Sequence, residues 1–462
     1  MPRLVLMLAL LAGSVPAQPL NGRIKPILKQ NNRVHWGVHA VQLKNGKVLM
    51  SHNADLFFIP ASNTKLFATA YALRALGADY RFTTRVLAAG EATAGGHISG
   101  DLVLQGSGDP SLSSRRYPYR RENPFGEDLL EPLRLLARQL KARGIKSVGG
   151  QVIGDGSAFD YDPVPNGWAA QDGLFEYGAP VSALTFNDNI FTLKLSTAGL
   201  SLDPPVEYFA ILNQTTQNAS DPRRIRIERD PGSRTLTLRG NLNENGAGYE
   251  NGLAVDDAAL YAALAFRHTL IEEGITVQGS AAARHLPVAK PEAVELARRE
   301  SPPLLDLLQV VNKVSQNLHA ELVFRAAARK MPFSEFLKLS GVDEKEVALN
   351  DGSGMSRTNL VSPKAVVQLL RAISQQGQLE VFRNLLAIGG EDGTLRTRFD
   401  KHPKASLIRA KTGTLAHTSA LGGYAESKKH GTIAFQIVAN NFAQPAQEVR
   451  TALDRIALAL LQ

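Results

Sequence analysis

The sequence of 462 residues lacks cysteine entirely, and beyond its first residues it also lacks any long hydrophobic run. The missing cysteine excludes disulfides, thiolate nucleophiles, cysteine-ligated zinc and iron–sulfur clusters. The lack of further runs of ~18 apolar residues excludes a multi-span membrane protein. Hydrophobic residues make up 44% of the chain and charged residues 21%, which is typical of a globular protein with a sizeable core. At roughly 150 residues per domain, the length predicts about two to three domains.

The N-terminus has the pattern of a secretory signal peptide. Arg3 precedes an apolar run over residues 4–12, a Gly-Ser pair interrupts that run, and small residues lead up to Ala17. The run is about half of what a spanning helix requires, and its flanks are those of a cleavable signal. We therefore predict a signal peptide over residues 1–17, export to the periplasm or cell envelope, and a mature chain without a transmembrane segment.

The chain is basic, with 52 Lys and Arg against 43 Asp and Glu and a formal net charge of +9. Such a balance permits anionic partners but selects none. The basic residues are scattered and are not interleaved with aromatic residues, and the chain is predicted to be exported. We therefore expect no nucleic-acid partner.

Three regions of different character follow one another along the chain. Alternating residues 34–50 around an Asn-Gly pair predict a β-hairpin, and a helix over 62–76 follows it. Short alternating segments then predict a β-rich block. From about residue 302 the pattern is helical again. The last predicted elements are strands near 406–410, 419–424 and 432–438 and a closing helix over 447–461.

The first of three short patterns with chemical meaning is Ser62-Asn63-Thr64-Lys65. A Ser and a Lys three positions apart share one helix face, so their hydroxyl and ammonium groups can meet. A serine hydroxyl is a weak nucleophile unless a base takes its proton, and a lysine acts as that base only where burial or another cation lowers its pKa. Alone, the pattern is weak and is more typical of a capping Ser beside a solvated Lys.

The second pattern is Ser315-Gln316-Asn317, at the junction of two predicted helices. Side chains two positions apart face one groove only if the backbone turns between them. A second hydroxyl can pass on a proton, and an amide can hold a substrate carbonyl or the lysine. Ser51-His52-Asn53 has the same spacing, but it leaves a hairpin rather than opening a long helix, so we prefer Ser315.

The third pattern is Lys411-Thr412-Gly413, followed by Thr414, which we expect to begin a strand. Its glycine lets the backbone approach a ligand closely, and a cation with two hydroxyls suits a carboxylate. Each pattern alone is weak. All three in this order indicate a penicillin-interacting serine enzyme.

With these motifs, the chain resembles the class C low-molecular-mass penicillin-binding proteins, the D-alanyl-D-alanine carboxypeptidases/endopeptidases of the type-4 kind. The 250 residues between Lys65 and Ser315 are far more than β-lactamases have and are similar to the insertion of that family. The resemblance covers almost the whole mature chain. It extends to Gly106-Ser107-Gly108-Asp109-Pro110, Asp351-Gly352-Ser353-Gly354, Gly393-Thr394-Leu395 and the run from Ala410 to Leu415.

The resemblance implies an α+β fold, in which a β-lactamase/transpeptidase-like domain with helices packed on an antiparallel sheet is split by a large β-rich insertion. The expected limits are 18–80 for the first part of this domain, 81–285 for the inserted domain or domains, and 286–462 for the second part. The domains suggested by the length are thus nested rather than consecutive.

The resemblance also implies a serine mechanism without cofactor or metal. Ser62 would attack the carbonyl between two D-alanines of a peptidoglycan stem peptide, with Lys65 as general base. Ser315 and Lys411 would relay the proton to the leaving amine, and Asn317 would hold the substrate amide or orient Lys65. The backbone N–H groups of Ser62 and Thr414 would form the oxyanion hole.

Substrate binding is implied for Thr412, Gly413 and Thr414, with Lys411 also at the terminal carboxylate. β-Lactams, which mimic D-Ala-D-Ala, would acylate the serine and be released slowly. Asp172 resembles an acidic residue that meets the free amino group of the stem's diamino acid. The family's usual pair of acids is Gln-Asp here, and a turn Asp is an equally weighted interpretation.

Several alternatives stay open from the sequence. A β-lactamase or esterase on the same scaffold is a second hypothesis, although the long insertion argues against it, and a non-catalytic murein-binding protein is a third. Asp351-Gly352-Ser353-Gly354 is expected to be a turn that supports the groove. His319 is expected to be structural, because no Gly-x-Ser-x-Gly or His-Glu-x-x-His motif accompanies it. The balance of carboxypeptidase and endopeptidase activity, the diamino acid and the oligomeric state are not predicted.

Overall fold

The computed structural model describes residues 20–90, 92–217, 224–230, 232–242, 248–288 and 293–462. The predicted signal peptide, residues 1–17, lies outside the described residues, so its cleavage and export stay predictions. The described helices are α1 (Leu20–Gln30), α2 (Thr64–Leu76), α3 (Glu131–Ala142), α4 (Ala258–Glu272), α5 (Leu304–Lys313), α6 (Asn317–Ala328), α7 (Phe333–Leu339), α8 (Pro363–Gln375), α9 (Leu379–Leu385) and α10 (Ala446–Ala459).

A six-stranded antiparallel sheet joins the two ends of the chain. The predicted hairpin is confirmed, and its first strand pairs with the last strand of the sequence. Distant segments therefore build one sheet, as a split domain requires. In spatial order the strands are Ala387–Ile388, Ile408–Leu415, Thr418–Ser427, Gly431–Asn440, His35–Gln42 and Val48–His52.

Helices cover both faces of this sheet. Apolar residues of α1 and α10 form a buried cluster against one face, and α8 packs against the other with α2, α5 and α6 beyond it. Burial of these apolar faces is the main stabilising contribution. Because α2 packs on both α5 and α6, the start of α2 lies beside the α5–α6 junction.

The inserted region is built around a five-stranded mixed sheet with α3 and α4 packed against it. In spatial order the strands of this sheet are Ala281–Arg284, Val152–Asp155, Leu102–Gln105, Thr83–Ala89 and Ala293–Glu300. The strand Ala293–Glu300 pairs along Thr83–Ala89, so sheet pairing of the insertion reaches residue 300. The domain limits after 80 and 285 stay a proposal.

Smaller sheets complete the described part of the chain. Three of them have three strands each and extend the insertion, which confirms its β-rich character. The first is Ala210–Thr216, Thr235–Asn241 and Arg226–Glu228, the second is Tyr249–Ala254, Ile190–Ser196 and Gly199–Asp203, and the third is Thr276–Val277, Ser147–Val148 and His97–Ile98. A two-stranded sheet pairs Val347–Ala348 with Leu360–Val361. The predicted α+β class is confirmed.

Two predicted element boundaries differ from the structure. The helix expected from residue 62 begins with the 3₁₀ turn Ala61–Asn63, and the α-helix starts at Thr64. The expectation that Lys411 begins a strand is wrong. The strand runs over Ile408–Leu415 because all of these residues pair with the neighbouring strand, while residues 405–407 form a 3₁₀ turn.

Candidate active site

The turn that carries Ser62 is held at close range by two backbone segments. Ala61, just before it, has a φ of +47°, a left-handed conformation that is uncommon for a residue with a side chain and is concentrated at functional sites. A Cβ on Gly413 would lie 2.8 Å from Pro60 O, and a Cβ on Gly354 would lie 2.0 Å from Ala61 O. Only glycine permits these approaches, so both segments pack directly against the serine turn.

Lys65 follows Ser62 by about one helical turn and is fully buried. Its Nζ lies 3.0 Å from Ser62 Oγ. The same nitrogen donates to Asn317 Oδ1 at 2.6 Å and to the backbone oxygen of Ser353. Those two acceptors engage two N–H groups, which leaves the remaining position on the nitrogen directed at the serine hydroxyl. The predicted meeting of hydroxyl and amine is confirmed.

The electrostatic surroundings of Lys65 make both its neutral and its charged form accessible near neutral pH. Burial lowers the pKa of Lys65 to about 7, and the carboxylates of Asp351 and Glu321 offset part of that effect. Burial, together with the nearby charge of Asp351, raises the pKa of Glu321 to about 7. Lys411 has no such carboxylate among the groups acting on it, and burial followed by the charge of Lys65 lowers the pKa of Lys411 well below its usual range.

The α5–α6 junction contains the turn that the second motif requires. α5 ends at Lys313 and α6 begins at Asn317, and Ser315 between them has a φ of +68°. Ser315 Oγ accepts a hydrogen bond from Lys411 Nζ at 2.8 Å. Both polar atoms of the Asn317 amide are hydrogen-bonded, because its Oδ1 accepts from Lys65 and its Nδ2 donates to the backbone oxygen of Tyr177 at 2.8 Å. The prediction that the backbone turns here is confirmed.

The third motif forms the opposite wall of a groove of about 440 Å³. Lys411 is buried, whereas Thr412 is half-buried and Thr414 is exposed. Thr412 Oγ1 lies 2.8 Å from the hydroxyl of Thr394, in the segment before the motif. The groove is lined by residues of all three motifs, including Ser62, Ser315, Asn317, Thr412 and Thr414. The structure thus brings together segments that are up to 349 positions apart, from 62 to 411.

Asp172 lines the same groove, at the side formed by the insertion. It is buried and its Oδ2 lies 3.6 Å from Arg357 Nη1. Tyr177 is adjacent, and burial together with the Asp172 carboxylate raises the pKa of its hydroxyl. The residue therefore faces the groove with a cation beside it; its contact with substrate stays a proposal.

The Asp351 turn supports the groove, as predicted. The buried carboxylate accepts hydrogen bonds from Ser353 Oγ at 2.6 Å and from Gly354 N at 2.9 Å. It also accepts from the indole Nε1 of Trp168, in the insertion, at 2.8 Å. This network fixes the backbone oxygen to which Lys65 donates, so the insertion is tied to Lys65 through one carboxylate.

His319 lies away from the groove lining, in agreement with a structural role. It is fully buried, and its Nε2 lies 2.8 Å from Asp188 Oδ1. Asp188 in turn pairs with Arg115 at 2.8 Å. Burial acts to raise the pKa of Asp188, but the Arg115 and His319 charges outweigh it and hold that pKa below its usual range. The buried contact between Asp188 and His319 links the insertion to the first turn of α6.

Sequence reasoning missed three residues that shape the site: Glu321, Tyr177 and Arg357. Glu321 had a local signal, since it lies four positions before Arg325 on α6 and pairs with it at 3.0 Å. Tyr177 contributes a backbone oxygen, which no side-chain pattern can indicate. Arg357 reaches Asp172 only through the fold, because 185 positions separate them.

Two further properties concern the described ranges only. They contain no group of three His, Cys, Asp or Glu side chains placed to hold a metal ion. Among the described helices, none combines the length and apolar character needed to cross a bilayer.

Comparison with known proteins gives consistent matches over nearly the whole chain. The model of the D-Ala-D-Ala carboxypeptidase 3 (S13) family matches residues 20–460. The D-alanyl-D-alanine carboxypeptidase of Actinomadura sp. (strain R39) is 30% identical over 439 residues, which cover 89% of this chain and 78% of that protein.

Solved structures show the same likeness. Penicillin-binding protein 4 (dacB) from Haemophilus influenzae matches with a TM-score of 0.81 and 25% identity, over 94% of this chain and 97% of that one. The same protein complexed with a β-lactam matches with a TM-score of 0.76 and 24% identity, over the same shares. The predicted fold is confirmed by this likeness.

Proposed function

The chain belongs to the D-Ala-D-Ala carboxypeptidase 3 (S13) family of peptidases, and from that premise we propose that it cleaves peptidoglycan stem peptides through an acyl-enzyme on Ser62. The observation that carries this proposal is the fully buried Lys65 amine, 3.0 Å from Ser62 Oγ, with its other hydrogen bonds taken by Asn317 and Ser353. A neutral lysine in this position directs the lone pair of its nitrogen at the proton of the serine hydroxyl.

Acylation begins with transfer of the Ser62 proton to Lys65. The freed oxygen attacks the carbonyl carbon of the penultimate D-alanine, and the negative charge on the carbonyl oxygen is stabilised by the backbone N–H groups of Ser62 and Thr414. Each such donor contributes about 3 kcal/mol to the transition state in comparable hydrolases. The contact of Asn317 Oδ1 with Lys65 favours the second of the two roles considered for Asn317, which is orientation of the base.

Departure of the amine requires a proton on its nitrogen. The Ser315 hydroxyl supplies it and is reprotonated from Lys411, to which it is hydrogen bonded. Lys411, Thr412 and Thr414 hold the terminal carboxylate of the leaving residue. The proton that Lys65 took from Ser62 restores Lys411, so both lysines return to their starting states. Lys65 then accepts a proton from the water that attacks the ester carbonyl and returns it to Ser62 Oγ as the shortened peptide leaves.

The proposed substrates are stem peptides that end in D-Ala-D-Ala and stem peptides that are cross-linked through D-alanine. β-Lactams are the proposed covalent inhibitors, supported by the Haemophilus influenzae relative whose structure contains one. Asp172 is proposed to meet the free amino group of the diamino acid. This substrate places the enzyme outside the cytoplasm, in agreement with the signal peptide predicted from the sequence.

A fluorescent penicillin tests the acyl-enzyme directly. The purified chain should become covalently labelled, and the label should map to Ser62. Ser62→Ala should abolish labelling, whereas Ser51→Ala, at an exposed serine on the hairpin, should leave it unchanged. Labelling at another residue would overturn the proposal, and rapid turnover of the penicillin would favour the β-lactamase alternative.

A second assay separates the two peptidase activities. A monomeric stem pentapeptide should release D-alanine, and a cross-linked dimer should be converted to monomers, both in a Ser62-dependent manner. Conversion of the pentapeptide alone would restrict the enzyme to carboxypeptidase activity.

A further inference from the structure

A second cavity of about 230 Å³ adjoins the groove on the other side of Asn317. The hydrogen bond from Asn317 Nδ2 to the backbone oxygen of Tyr177 lies between the two spaces and joins the catalytic part to the insertion. Ser315, Asn317 and Tyr177 line both spaces. The two cavities are therefore neighbouring compartments around one motif.

Three large apolar side chains in the wall of this second cavity remain open to solvent, and the wall also includes polar and charged residues such as Arg115, Asp188 and Gln316. Phe125 is 42% exposed, Val314 40% and Tyr177 46%. Large apolar side chains gathered at the surface beside a reaction centre are typical of a ligand contact. The Phe125 ring is held in place from behind, because the Arg115 guanidinium lies 4.4 Å from its centroid and is itself paired with Asp188.

The second cavity lies beside the residue that is proposed to protonate the leaving amine. Ser315, whose hydroxyl faces the leaving amine in the proposed mechanism, forms part of its wall, and Val314 is the preceding residue. When the leaving residue is D-alanine, its side chain is a methyl group and fills none of this space. In a cross-linked substrate the leaving amine ends the aliphatic side chain of a diamino acid, which leads on to a second stem peptide.

We propose that the second cavity binds this aliphatic side chain, and that Phe125 and Val314 are specificity residues for cross-linked substrates. The inference rests on the proposed function and deepens it. The apolar part of the wall suits the methylene groups of the side chain, while the exposed carboxylate of Glu176 at the rim can accept hydrogen bonds from the peptide that follows.

Phe125→Ala tests the inference with two substrates and one label. Cleavage of the cross-linked dimer should fall about tenfold in kcat/KM, since loss of an apolar contact in a pocket costs this much. D-Alanine release from the monomeric pentapeptide and labelling by fluorescent penicillin should stay unchanged. Phe125→Leu, which keeps an apolar side chain, should restore much of the dimer cleavage. Tyr161→Ala removes an exposed aromatic side chain of the insertion that lines neither cavity and should alter neither activity.

Each outcome decides a different point. Equal losses on dimer and pentapeptide, or undiminished dimer cleavage, would overturn the subsite while the penicillin label shows that the acyl-enzyme is intact. Absence of the label from the unmodified chain would instead overturn the proposed function, and the subsite with it.

Discussion

The groove has a helix wall, formed by the start of α2 and the α5–α6 junction, and a strand wall, formed by Ile408–Leu415. Each wall holds one buried lysine, and the surroundings of the two lysines differ. On the helix wall, Lys65 lies near the carboxylates of Asp351 and Glu321, and its pKa is lowered only to about 7. On the strand wall, Lys411 is acted on by burial and by Lys65, and its pKa is lowered well below its usual range. Burial is shared by both residues, so the carboxylates beside Lys65 and the charge of Lys65 acting on Lys411 are what separate their pKa values.

The difference indicates a division of labour. The helix wall supplies its own negative charge, so Lys65 is poised to exchange a proton near neutral pH. The strand wall lacks a carboxylate of its own, and a substrate carboxylate at Thr412 and Thr414 would supply one. We expect substrate binding to raise the pKa of Lys411 and to load it with the proton that Ser315 passes to the leaving amine.

The largest expected effect comes from removing the base on the helix wall. Lys65→Met should lower the rate of acylation by fluorescent penicillin roughly 10³-fold, because Ser62 then has no proton acceptor within reach. Labelling time courses measure this rate. Lys364→Met, at a lysine paired with Asp55 and Glu346, is the matched control and should leave acylation unchanged. A mild effect of Lys65→Met would assign the base to another group.

A smaller effect is expected on the strand wall. Lys411→Met should lower kcat/KM for a D-Ala-D-Ala peptide roughly 10²-fold, since both carboxylate binding and the proton relay are affected. For the same peptide with an amidated C-terminus, which lacks the carboxylate, Lys411→Met should cause a smaller loss of kcat/KM. Steady-state kinetics on the two peptides checks this, and equal losses would contradict the assigned role in carboxylate binding.

The smallest expected effect is a shift of pH dependence. Acylation requires neutral Lys65, so its rate should fall as the pH drops through about 7. Glu321→Gln removes a carboxylate whose charge favours the ammonium form of Lys65. Because the pKa of Glu321 is itself about 7, that charge is only partly present over the acid limb, and the limb should move by roughly half a unit to lower pH. The limb is obtained from acylation rates measured from about pH 5 to about pH 9, which is about two units on either side of the expected midpoint.

The control for this shift is Glu346→Gln, at a carboxylate that pairs with Lys364 instead. It should leave the acid limb in place. An unmoved limb in Glu321→Gln would show that the Glu321 carboxylate does not contribute to the pKa of Lys65.

Much of the fold and site was predictable because its signals are local. The hairpin, the helix after Ser62 and the turn at Ser315 follow from residue spacing and turn chemistry within a few positions. Strand ends were less predictable, as the strand around Lys411 shows, because its length is set by the partner strand. The carboxylates near Lys65 could not be predicted, since Asp351 and Glu321 approach it only through packing of α2, α6 and the Asp351 turn.

The sequence by itself determined that Ser62 and Lys65 share one helical turn, which needs only the repeat of the backbone. It also placed Ser315 close to Asn317, and Lys411 next to Thr412, along the chain. The tertiary structure alone decided that Asn317 holds Lys65, that Asp172 lies beside Arg357, and that carboxylates surround one lysine and not the other. Those properties depend on desolvation and on contacts between distant segments, and neither leaves a mark on local spacing.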